Sequence, residues 1–228
     1  MNQNFIIIFF TSFIYSNSFS KSVLFFCFFR IFSISAISAI ACLLIFGVIY
    51  SWASIYWSWP FALLSALVAW LGVALTLAVT SPDLGIASII AIVSLVITPF
   101  LLPRLKTTSP PKGKLNDLPW RMLVGALLTL SVTTLAATLG EVWSGILAVF
   151  PVIGLVLAVF THNTLGPAHV TQVYRGMVKG LYSFSAFFLM MTFLLPKTSI
   201  WVAYLISIAV AILTQVGVQL VIRLSAKK

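Results

Sequence analysis

Acidic side chains are nearly missing from this chain. Asp83, Asp117 and Glu141 are the whole supply in 228 residues, against 13 Lys and Arg. Charged residues make up 7% of the sequence, where water-soluble domains carry about a quarter. Three carboxylates leave few parts for paired-acid catalysis or carboxylate-rich metal sites, and no Ser/His/acid set or Gly-rich phosphate loop stands out. An enzyme is therefore not expected, and no cofactor or metal is called for. Cysteine is scarce too. Cys27 and Cys42 both lie in apolar runs with no His or acid beside them, which fits small buried side chains better than a redox pair or metal site. Long polar stretches are also lacking, so no soluble domain is expected.

What the chain does have is apolar mass: 61% of its residues are hydrophobic and its mean hydropathy is +1.17. Such a surface needs lipid as its solvent. The expected fold class is all-α, a polytopic transmembrane helical bundle. About 20 apolar residues cross a bilayer core as a helix. Polar residues and prolines then divide the chain into seven spans with a candidate eighth. Residues 1–30 are an atypical N-terminal segment holding that candidate, at 5–20. Residues 31–103 form an N-terminal half with spans at 31–50, 60–80 and 84–102. The segment 50–59 alternates Trp and Tyr with small polar residues, as an interfacial turn does. Residues 104–118 are a loop, and residues 119–228 carry four spans, at 120–139, 143–161, 173–195 and 199–222.

The basic residues set the orientation. Arg104, Lys106, Lys112 and Lys114 lie in the central loop, with Arg121 just beyond. Placing that loop in the cytoplasm puts Arg175, Lys179, Arg223, Lys227 and Lys228 there as well. Lys21 and Arg30 do not fit this count. The net charge of +10 is spread over loops and helix ends and does not line one face, so nucleic acid is not an expected partner. The bilayer and its anionic headgroups are. A homo-oligomer or a membrane partner is left open.

Several residues stand out as candidates for a pathway through the bundle. Glu141, the single Glu, sits in a hairpin where it is either a cation site or an exposed acid near a helix start. Ser144 begins the span that contains Phe150 and Pro151, and Pro151 should kink that helix in its middle. Thr161 and His162 open a polar loop, with His169 further along, in which an imidazole can titrate near neutral pH. Arg175 and Lys179 are four apart on one helix face, placed either to meet headgroups or to close the inner end of a polar path. Gly176 and Gly180 provide a small-residue face beside them.

The strings Trp143–Val152, Leu157–His162, Gly166 and Arg175–Tyr182 resemble a family of uncharacterised proteobacterial inner-membrane proteins. They are more distantly similar to the GlpM-type membrane proteins, which share a Phe-Pro element followed by a Gly-rich helix. The likeness covers residues 118–195 well and 36–103 loosely. It implies a bacterial inner-membrane location and brings no established activity. The Gly/Pro element that the family carries ahead of the helix at 31–50 is replaced here by residues 1–30.

Two functions from different classes follow. The leading one is a small-solute permease-like protein with its path at the Phe150–Pro151 kink. The alternative is a non-transporting scaffold or accessory protein of an envelope-polymer system. A water-lined cavity reaching Pro151 favours the first, and a dry, packed interior the second.

Overall fold

The computed structural model describes residues 37, 39–80, 83–105, 118–139, 143, 147 and 150–225. Among the described residues the only regular structure is helical, in seven helices: α1 (Ala39–Tyr56), α2 (Trp59–Thr80), α3 (Leu84–Leu101), α4 (Leu118–Thr138), α5 (Val152–Leu165), α6 (Pro167–Leu194) and α7 (Ile200–Ser225). Five of these, α1, α2, α4, α6 and α7, are long and apolar enough to cross a membrane. The segment Gly85–Leu101 of α3 and the whole of α5 are apolar but shorter. At 1.5 Å per residue the 14 residues of α5 span about 21 Å, against a hydrocarbon core of about 30 Å.

Each boundary has a local cause. Pro60 stands in the first turn of α2, where its missing N–H costs nothing. Gly166 separates α5 from α6 with φ of +82°, a conformation that side chains with a Cβ resist. Its N–H closes α5 on the carbonyls of Thr161 and His162, at 3.1 and 3.2 Å. Pro167 then opens α6, so two helices meet with no loop between them.

Four of the expected segments move. α1 runs to Tyr56, so the segment 50–59 is mostly helix and the turn shrinks to Trp57 and Ser58. Small residues and aromatics alternate there, yet Tyr50, Ser51 and Ser54 are buried against other helices, and packing outweighs the interfacial pattern. The polar stretch at Thr161 and His162 is the last turn of α5, and α6 begins at Pro167, ahead of the expected 173. The expected span 143–161 is not one continuous helix: residues 150 and 151 are non-helical and α5 starts at Val152. Residues 1–36, Glu141, Ser144 and the loop 106–117 lie outside the described residues.

The core is built where α1, α2, α3, α5 and α6 meet. Ala62, Ala66, Trp70 and Ala74 are buried at four-residue intervals along α2, and Ala87, Ala91 and Leu95 along α3. Small residues at that spacing let backbones approach closely, which is how helices gain packing energy without a hydrophobic drive in lipid. Of the pairs among α2 to α7, α6 and α7 are in the most extensive contact. Ala203 and Ser207 of α7 are fully buried against Met191 and Leu195. α4 differs from the rest: it packs on α5 and buries none of its residues. Its Ser and Thr hydroxyls bond back to helix carbonyls, as Thr129 does to Gly125 at 2.8 Å and Ser131 to Leu127 at 2.8 Å. Its hydroxyls therefore make no polar demand on their surroundings.

Candidate functional site

Pro151 ends up at a break in the chain, not at a bend in a helix. Its φ and ψ are −81° and 55°, and the N–H of Val152 donates to the carbonyl of Phe150 at 2.9 Å. That is an inverse γ-turn. Leu155 N–H then donates to the Pro151 carbonyl at 2.8 Å and starts α5. The Phe150 ring meets Trp70 edge-on, with centroids 5.0 Å apart. Trp70 is the twelfth residue of the 22-residue α2, so the break lies about half-way along the bundle. Non-helical backbone at that depth must be covered by protein or by trapped water. Here it is covered by protein, since Pro151 is fully buried.

Beyond the break, four aromatic or imidazole rings gather between α1, α5 and α6. Phe46 and Tyr50 of α1 are fully buried. The Tyr174 ring of α6 lies 6.4 Å from Phe46 and 6.2 Å from Tyr50. Tyr174 donates to the carbonyl of Gly154 at 3.3 Å, tying α6 to the start of α5. Tyr50 stands edge-on to His162, with its hydroxyl 3.4 Å from Nδ1, a long contact. Ser51 is also fully buried, and its hydroxyl has no partner among the described residues. The fit is tight. A Cβ placed on Gly47 would come within 2.7 Å of Tyr174 Cδ1. The gap beside Gly47 and Tyr174, closed by Thr98 and Met177, has a volume of about 10 Å³, the lower limit for one water.

α3 is held by side chains from its neighbours. Pro99 has no N–H to give to the carbonyl of Leu95, and Tyr182 of α6 donates to that carbonyl instead, at 2.7 Å. At the C-terminus, where helix carbonyls have no partners of their own, Trp52 Nε1 of α1 donates to Leu101 O at 2.8 Å. Arg175 Nη2 of α6 donates to Leu102 O at 2.9 Å and Pro103 O at 3.2 Å. A cation at a helix C-terminus also meets the negative end of the macrodipole. Arg175 is thus a helix cap, a role that its spacing from Lys179 did not suggest.

These contacts bring the ends of α1, α3 and α5 and the start of α6 to one end of the bundle. Arg104 lies just past α3 at that end. Arg121 is there too, with its guanidinium 5.5 Å from the Phe160 ring centre. Arg104, Arg121 and Arg175 thus share this end, while Lys106, Lys112, Lys114, Lys227 and Lys228 lie outside the described residues.

Of the expected site residues, Phe150, Pro151, Thr161 and His162 share α5 and its approach, and Arg175 reaches α3. The half-buried Lys179 stands one turn further along α6. Tyr50, Tyr174, Tyr182 and Trp52 were not among the candidates. A Tyr or Trp within a span carries a hydrogen-bonding group that needs a partner, and that was the signal available for them. Comparison with protein-family models, with curated proteins and with solved structures finds no match to this chain.

Proposed function

We propose that this chain is an integral protein of the bacterial cytoplasmic membrane that works as a packed helical scaffold or accessory component and does not conduct solutes. The resemblance to proteobacterial inner-membrane proteins and to the GlpM-type proteins belongs to this reading. The end of the bundle bearing Arg104, Arg121 and Arg175 faces the cytoplasm, following the preference of short basic segments for that side. Anionic headgroups are its partners there.

One observation carries the reading. The place best suited to a passage, the break at Phe150–Pro151, is filled with protein: Pro151 is buried, Phe150 lies on Trp70, and Tyr174 occupies the Gly154 carbonyl. A path would have to displace all three contacts. The permease reading draws on a different observation. Helices broken near mid-depth are how many transporters build substrate sites, and the break beside Trp70 has that depth.

Three outcomes separate the readings. The scaffold predicts proteoliposomes as tight to protons and small solutes as empty vesicles. It also predicts a membrane protein that co-purifies in mild detergent, and indifference to Glu141→Gln. Flux that is lost on Pro151→Ala refutes it.

A further inference from the structure

Between α1 and α3, on the face turned away from α6, runs an apolar groove of about 320 Å³. Val48 lies on one wall, and Val93, Ser94, Ile97, Thr98 and Leu101 on the other. Its two hydroxyls are already used: Ser94 donates to Ile90 O and Thr98 to Ser94 O, both at 2.6 Å. The walls therefore offer no free donor, and an apolar occupant fits them. The occupied length, from Val93 to Leu101, is about 12 Å at the helical rise. Trp52 continues the α1 face of the groove by one turn, and its N–H is fixed on Leu101 O. An indole at the inner end of an apolar channel marks the level of the headgroups. Three residues past Leu101 the chain presents an exposed Arg104. Its position is set by the Arg175 bonds to the two carbonyls just before it.

We propose that this groove binds one anionic phospholipid, with an acyl chain along Val48 and Ile97 and the phosphate at Arg104. Charge complementarity selects the headgroup, and the wall chemistry selects the chain. Among the described residues Arg104 is the cation at the mouth of the groove, because Arg175 is committed to the α3 carbonyls. The proposal rests on the chain being lipid-embedded and is independent of whether it conducts.

Native mass spectrometry of the full chain in mild detergent tests it, with phosphatidylglycerol and phosphatidylcholine titrated separately. The expected result is one retained phosphatidylglycerol per chain, bound in preference to phosphatidylcholine. Arg104→Gln should cut that preference roughly fivefold. Arg223→Gln, the same charge change on α7, should leave it unaltered. Ile97→Trp fills the groove and should abolish retention of both lipids, and Val48→Phe replaces it if Ile97→Trp lowers the melting temperature. Equal losses from Arg104→Gln and Arg223→Gln would overturn the proposal in favour of diffuse attraction. So would lipid retained after the groove is filled, or a lipid-free dimer mass, which would put a second copy there. A chain that stays soluble and monodisperse without detergent would refute the membrane reading itself.

Discussion

Replacing Gly47 by alanine probes the packing of the ring cluster directly. The added methyl would lie 2.7 Å from Cδ1 and 3.0 Å from Cε1 of Tyr174, closer than carbon atoms pack. Those atoms are in the body of a buried ring, so the ring has to move. Overpacking of a closed core costs about 1–3 kcal/mol. Shifting Tyr174 also weakens its bond to Gly154 O, worth about 1 kcal/mol. Against this, alanine gains up to about 1 kcal/mol over glycine in a helix interior. The net expectation is a loss of about 1–3 kcal/mol. Gly125→Ala and Gly217→Ala are the controls, since a Cβ at either meets nothing within 4 Å; both should be neutral or slightly stabilising. Thermal unfolding in one detergent, followed by circular dichroism, measures all three. Tyr174→Leu completes a cycle, because the cost of Gly47→Ala should shrink once the ring is gone. If Gly47→Ala melts with or above the parent, or costs the same beside Leu at 174, the packed cluster is not as described.

The other expectations concern α3 and the topology. Tyr182→Phe strips the donor from Leu95 O and should cost about 1–2 kcal/mol in the same melt. In a Pro99→Ala background the helix supplies its own N–H, so the cost should largely vanish. Arg175→Lys loses the guanidinium that reaches both Leu102 O and Pro103 O, and trypsin should then cut faster after Arg104, as read by fragment mass. Single cysteines at Pro110 and Glu141 should be labelled from opposite sides of intact vesicles; labelling from one side would overturn the span order.

Much of the helical content is legible without coordinates because it follows from the length and apolar character of the runs. Apolar runs at 60–80, 84–102, 120–139 and 199–222 become α2, α3, α4 and α7 with ends shifted by a few residues, since a helix satisfies every backbone group within one run. Composition is also enough to identify Pro60 as a helix start.

What needed the tertiary structure is pairing. Pro99 and Pro151 both disturb a helical run in the sequence, but one leads to a side-chain bond from Tyr182 and the other to a γ-turn from which α5 starts. The outcome depends on which neighbour is within reach. His162 reads as a loop residue, but α5 runs on through it to Leu165 and stops only where Gly166 takes φ of +82°. Arg175 reads as a headgroup ligand until α3 ends beside it. Hydropathy sums over many residues and survives local ambiguity, whereas a hydrogen bond or ring contact depends on positions good to a fraction of an ångström. Only the packed bundle sets those.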